Sequence, residues 1–210
     1  MKKINRIQRN QKNNKITKGN VVKILITTFI LLLITIGASF AYFTATITGS
    51  ESATTITVSG GTMTISYSGG SAISTSGIVP KGLAASATTS DAWVTKAFTV
   101  TGNNTTAIVM KYKVSLVVQT NTFSTGALEY KMTATNTGSN GTPMSAVTAF
   151  TDITNGASTI VLGNGQFSAA TGGAKAHDYV LYIYFLNTGA SQNADKGKSF
   201  TGYLKTEGVQ

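Results

Sequence analysis

The chain has no cysteine, two prolines, one tryptophan, one histidine and seven acidic residues among its 210. Without cysteine there are no disulfides and no thiolate metal ligands, so stability has to come from a packed core and backbone hydrogen bonding. One histidine and scattered single carboxylates do not supply the three or so ligands of a catalytic zinc, and no H-E-x-x-H run occurs. No paired acids at short spacing suggest a calcium loop. The P-loop pattern is also missing: Gly197-Lys198-Ser199 resembles its end, but Gln192 stands where its first glycine belongs. No G-x-S-x-G elbow is present, although serine is abundant and His177-Asp178 adjoin. The His177-Asp178 pair reads as the polar lead-in to a strand rather than as ligands. The expectation is no enzyme, no catalytic or metal-binding residue and no cofactor.

Negative charge is absent from the head of the chain. Lys2, Lys3, Arg6, Arg9, Lys12, Lys15, Lys18 and Lys23 precede the first carboxylate, Glu51. From Tyr42 onward nine lysines stand against seven acids, with no arginine. The formal net charge of +10 therefore belongs to the head. The body lacks the dense basic face, with interleaved aromatics or arginine, that a nucleic-acid partner needs.

Behind the basic residues, Ile24–Ala41 (ILITTFILLLITIGASFA) is an uncharged, mostly apolar run of 18 residues. As a helix it spans about 27 Å at ~1.5 Å per residue, close to the ~30 Å hydrocarbon core of a bilayer. Thr27, Thr28 and Thr35 can return their hydroxyls to the helix backbone. The one-sided charge keeps the N-terminus in the cytoplasm and sends the rest outward. Ser39-Phe40-Ala41 puts small residues at −3 and −1 for a signal peptidase cutting before Tyr42. Because the run exceeds the usual signal core, an uncleaved anchor remains the alternative. Residues 24–41 thus meet the membrane at least before cleavage, and signal peptidase is a partner during export.

The body is poor in charge and rich in Thr, Ser, Gly, Val, Ile and Tyr, residues that suit pleated surfaces and their turns. Ala107–Gln119 (AIVMKYKVSLVVQ) alternates: Ile108, Met110, Tyr112, Val114, Leu116 and Val118 share one face, Lys111 and Lys113 the other. Thr62–Tyr67, Thr95–Thr101, Leu128–Thr135, Thr159–Leu162, Tyr179–Leu186 and Lys198–Glu207 are further strands. Turns are expected at Ser68–Ser71, Gly102–Thr105, Gly138–Gly141 and Gly163–Gly165. Tyr179–Leu186, apolar on both faces, reads as a central strand. In Lys198–Glu207, Phe200 and Leu204 oppose Tyr203. Seven or eight such strands predict an all-β chain, a single β-sandwich of jelly-roll or immunoglobulin-like topology behind an N-terminal hydrophobic helix. The expected organisation is 1–41 signal or anchor, 42–59 N-terminal extension and 60–210 sandwich. Thr44–Ser59 alternates but carries few large apolar groups; it can add to its own sheet or to the edge of a neighbour.

Several segments resemble the TasA/camelysin family of Gram-positive exported proteins, which a dedicated SipW-type signal peptidase processes. Ile36-Gly37-Ala38-Ser39-Phe40-Ala41-Tyr42-Phe43-Thr44 is similar to that family's cleavage region with its aromatic pair. Gly61-Thr62-Met63-Thr64-Ile65-Ser66, Val79-Pro80-Lys81-Gly82, Lys96–Asn104 with Ala107–Val118, and Lys198–Glu207 resemble its later strands and its Pro-Gly turn. Thr44 and Ala45 stand where the family often has an acid. The resemblance implies a jelly-roll subunit of an extracellular biofilm-matrix fibre that associates with itself. It also implies a donor strand at Tyr42–Ser59, seating Phe43, Ile47, Ile56 and Val58 in the next subunit. The competing readings are a monomeric surface adhesin held by an uncleaved anchor and, further off, a camelysin-like surface peptidase. The chain shows no C-terminal apolar tail and no L-P-x-T-G sorting signal.

Overall fold

The computed structural model describes residues 22–23, 25–30, 46–48, 54–58, 61–135, 141–170 and 173–209. The chain divides into two compact units, Met1–Tyr42 and Phe43–Gln210.

In the first unit, residues 22–23 and 25–30 are helical, and Thr27 Oγ1 donates to the Lys23 carbonyl at 2.9 Å. That bond satisfies the hydroxyl inside the helix, as an apolar environment demands. Leu25, Ile26, Phe29 and Ile30 are all exposed. Among the described residues no helix is long and apolar enough to cross a membrane; most of the Ile24–Ala41 run lies outside them.

The second unit is all-β. Its strands are β1 (Thr46–Thr48), β2 (Thr54–Val58), β3 (Gly61–Ser68), β4 (Ile73–Ser76), β5 (Val94–Asn104), β6 (Met110–Asn121), β7 (Leu128–Ala134), β8 (Gly141–Thr142), β9 (Val147–Asp152), β10 (Ser158–Phe167), β11 (Lys175–Phe185) and β12 (Ser199–Val209). They form two six-stranded antiparallel sheets. One runs β1-β12-β6-β10-β8, with β4 also on β12; the other runs β2-β3-β5-β11-β7-β9. From β3 to β12 every connection crosses from one sheet to the other. The β2–β3 hairpin, closed by Val58 opposite Gly61, is the one pairing between consecutive strands among the described residues.

The two sheets share one core. Met110, Tyr112, Val114, Leu116 and Val118 of β6 and Phe200 and Leu204 of β12 are buried. So are Met63, Ile65 and Tyr67 of β3, Phe98 and Val100 of β5, Leu128 and Met132 of β7, and Leu181, Ile183 and Phe185 of β11. Each such side chain contributes about 1.5–3 kcal/mol, set against the entropy of ordering long non-local strands. The alternation seen in β3, β6, β7 and β12 is thus the core face of the sandwich.

Several expectations need correction. Ile108 is 47% exposed and precedes β6. The buried Asn104 holds the loop before it: Asn104 Nδ2 donates to the carbonyls of Ile108 (2.7 Å) and Ser168 (3.0 Å), and its Oδ1 accepts from Thr106 N and Oγ1. This loop spans 105–109, so Gly102–Asn104 is strand rather than turn. Gly163–Gly165 is likewise not a turn but the interior of β10. A Cβ on Gly102 would run into Met110 and Phe167, and one on Gly165 into the ring of Tyr112. Gly102 lets the facing sheet come close, whereas Gly165 leaves room for the ring of Tyr112, its cross-strand partner on the neighbouring strand of the same sheet. At Gln119 a bulge shifts the β12–β6 register, so the inward face passes from Val118 to the buried Asn121. Finally, β11 begins at Lys175, which puts His177 inside the strand rather than ahead of it.

Candidate assembly site

The outer edge of β12 is covered in two pieces. Ile73–Ser76 of β4 pairs with Ser199–Gly202, and Thr46–Thr48 of β1 pairs with Lys205–Glu207. Both run antiparallel to β12, so β1 and β4 lie end to end along one edge, with Tyr203 and Leu204 between the two paired stretches. The first piece comes from the body of the sandwich. The second comes from the N-terminal extension, more than 150 residues away in sequence from the strand it covers.

The expected extension Tyr42–Ser59 is therefore not one strand. Ile47 lies on β1 opposite Thr206, in one sheet; Ile56 and Val58 lie on β2 opposite Met63 and Gly61, in the other. Phe43, and the expected cleavage residues Ser39, Ala41 and Tyr42, lie outside the described residues. Sequence alternation alone cannot divide such a segment, because either half satisfies a strand pattern; its partners make the division.

The solvent side of the same edge carries an ionic clamp. Glu207 accepts from Lys205 at 2.7 Å and from Lys113 of the neighbouring β6 at 3.0 Å. The Lys205 hydrogen bond, opposed by partial desolvation and helped by Lys113, holds the Glu207 carboxyl below its ordinary value of 4.5. A depressed carboxylate pKa adds stability that is complete above the unfolded value and is lost as pH falls through the folded one. Glu207→Gln is expected to cost under ~1 kcal/mol at neutral pH, because the group is partly solvated. It should also flatten the fall in urea midpoint between about pH 5 and pH 3. An unchanged acid limb in that variant would remove the clamp from the account. Glu129 on β7 works in reverse: burial and then Asp152 raise its pKa, so its contribution weakens as pH rises.

The lone histidine sits elsewhere. His177 is fully buried and stacks on Phe167 (centroids 4.3 Å apart). Its Nδ1 lies 2.7 Å from the Tyr112 hydroxyl, which lies 2.5 Å from that of Tyr179, which accepts from Met144 N at 2.8 Å. Tyr112 belongs to one sheet and His177 and Tyr179 to the other, so the chain of contacts ties the two faces together. Burial pushes both phenols well above their ordinary range. The neighbouring Asp178 lies on the other face of β11, where its Oδ1 accepts from Thr99 Oγ1 at 2.7 Å. Adjacent strand residues face opposite ways, and this separates the imidazole from the carboxylate that adjoins it in sequence. Among the described residues no group of three or more His, Asp or Glu side chains could hold one metal ion.

In comparisons with protein-family models, curated proteins and solved structures, the chain matches none.

Proposed function

We propose that this chain is an exported structural subunit of an extracellular fibre or biofilm matrix, of the TasA/camelysin kind, that assembles head to tail by exchange of β1. The observation that carries the reading is the divided edge of β12. A short N-terminal strand, far away in sequence, occupies a slot that β4 already delimits. Opening it costs three residue pairs, and the same strand from a neighbour restores the same backbone bonds. A contact of this kind, repeated without closing, yields a filament.

The strand order supports a jelly roll. The spatial orders β4-β12-β6-β10 and β5-β11-β7-β9, with strands consecutive in the chain lying in opposite sheets, match the pattern of two interlocked Greek keys. Export is supported by the basic head and by the exposed apolar helix at residues 25–30, a surface suited to lipid. The signal segment is cut before Tyr42, freeing the start of the extension that carries β1.

The absence of cysteine makes a direct test available. Thr48 and Lys205 are Cα partners. Chains carrying Thr48→Cys and chains carrying Lys205→Cys, mixed, assembled and then oxidised, should give disulfide-linked dimers from the polymer fraction. The double variant, oxidised as a monomer, should link to itself and fail to assemble. Fibres growing normally from self-linked monomers would reject exchange. A monomer that stays in the membrane fraction with residues 1–41 attached would favour the anchored adhesin.

A further inference from the structure

At the end of the sandwich where β12 begins lies a cavity of about 760 Å³, between the strap that follows β4 and the loop that joins β11 to β12. Its size falls within the range of small-ligand sites. Ile78, Val79 and Phe185 give it apolar surface, and Asn187, Asn193 and Lys196 are polar groups on its wall.

The walls are preformed. Lys81 N donates to the Phe185 carbonyl and Asn187 N to the Gly82 carbonyl, both at 2.8 Å, and Leu83 bridges to Asn187. On the opposite wall Gln192 is locked at both ends of its amide: Oε1 accepts from Thr188 N at 3.2 Å and Nε2 donates to the Leu186 carbonyl at 2.9 Å. A cavity with walls held in this way loses little entropy on binding.

The charge is one-sided. Among the described residues Lys196 is the only charged one lining the cavity, and no carboxylate lines it. The adjacent Asp195 is buried and turned away, its Oδ1 accepting from Ser124 N at 2.6 Å. The groups offered to a ligand are thus an ammonium and amide N–H donors beside apolar carbon.

Trp93 stands next to this wall. Its Nε1 donates to the carbonyl of Val79 at 2.8 Å, and the residue is 39% exposed, lining the adjoining hollow of Ser71–Ser74 with Lys81 Nζ 5.8 Å from its ring centroid. Val79 itself is 61% exposed. A fixed aromatic face beside a donor-rich cavity suits a sugar ring, which presents C–H groups on one face and hydroxyls around its rim.

We propose that this cavity binds a segment of acidic polysaccharide, with a uronate carboxylate on Lys196, hydroxyls on the Asn187 and Asn193 amides, and the apolar sugar face toward Ile78 and Val79, the next sugar of the segment reaching Trp93 beyond Val79. None of the cavity's described lining residues belongs to the β1 stretch of the β12 edge or to its partner Lys205–Glu207, so subunit assembly and polysaccharide capture are separable properties of the chain.

Trp93 is the only tryptophan in the chain, so the emission has a single source, one residue contact away from the cavity through Val79. The full chain in detergent, titrated with an oligogalacturonate, should show a saturable change in emission. A neutral oligoglucan of equal length should bind at least about tenfold more weakly, the scale of one charge-assisted hydrogen bond. Lys196→Gln, an exposed substitution, should weaken oligogalacturonate binding by about the same factor and leave fibre growth unchanged. Lys111→Gln, at the far end of β12 where Lys111 faces Val209, should bind as the unaltered chain does. The proposal is overturned by the absence of a saturable signal, by equal binding of the two sugars, or by equal losses in the two lysine variants.

Discussion

A chain lacking residues 43–48 is expected to fold, to be exported, and to form no fibres. The deletion removes β1 and the residues leading into it, and keeps Ser39, Ala41 and Tyr42 for processing. What it takes from the monomer is three residue pairs on an edge, with no part of the described core. Stability should fall by about 1–2 kcal/mol, the scale of a few net hydrogen bonds, read as a lower urea midpoint with an unchanged slope. Assembly should be lost altogether, because β1 is the only element the proposal passes between subunits. The β2–β3 hairpin remains, and it is the wrong piece to exchange. Its strands are consecutive and its register closes at Val58 and Gly61, so it re-forms on its own chain faster than a neighbour can compete. Wild-type fibre growth from the deleted chain, followed by thioflavin-independent light scattering and negative-stain microscopy, would sink exchange through β1. Loss of assembly on changing β2 alone would move the donor to the other sheet.

The second large effect is expected within β10, from two glycines that look alike in sequence. Gly165→Ala should cost about 2–3 kcal/mol, the upper part of the overpacking range. Its Cβ would meet the ring of Tyr112, and Tyr112 cannot step aside without breaking its contacts with His177 and Tyr179. Gly163→Ala should be close to neutral. Its Cβ would meet Met144 Cβ at 3.2 Å and Cγ and Sδ at 3.4 Å, a crowding of a few tenths of an ångström, which the preference for alanine over glycine in a strand, about 0.5–1 kcal/mol, offsets. Chemical denaturation of the two variants separates the effects. Equal costs would mean that the Tyr112 ring beside Gly165 is not what demands glycine.

These glycines mark the limit of what composition reveals. A glycine between polar residues has the same appearance whether it turns the chain or admits a side chain from a facing sheet or a neighbouring strand. Gly102 and Gly165 do the latter, and both were expected as turns. Strands β4, β8 and β9 went unread because they are short or polar (ISTS, GT, VTAFTD). Their pairing is supplied by β12, β10 and β7. Ile108 continues the alternation of β6 by chance of sequence, but the amide of Asn104 binds its carbonyl and ends the strand before it. The alternation of β6 was otherwise legible as far as Val118, because Met110, Tyr112, Val114, Leu116 and Val118 must all face the core while Lys111 and Lys113 stay outside.

The candidate site was less legible than the core. Ile47, Ile56 and Val58 could be singled out as the larger apolar residues of a thinly apolar segment. That they fall on two different sheets could not, since nothing local distinguishes pairing with β12 from pairing with β3. The ionic clamp was equally hidden: Lys113 and Glu207 lie 94 positions apart and meet because β6 and β12 are neighbours.

Sequence by itself determined that the charge sits at the head, that an apolar run follows it, and that the remainder alternates with the two-residue period of sheets. These are properties of neighbouring residues, set by local sterics and by the sorting of apolar from charged groups. Only the tertiary structure decided which strands adjoin, where glycine admits a ring, and that the N-terminal extension divides between two edges. Almost every pairing here joins strands that are not consecutive, so the partner of each strand is chosen by the packing of the whole sandwich rather than by the residues beside it.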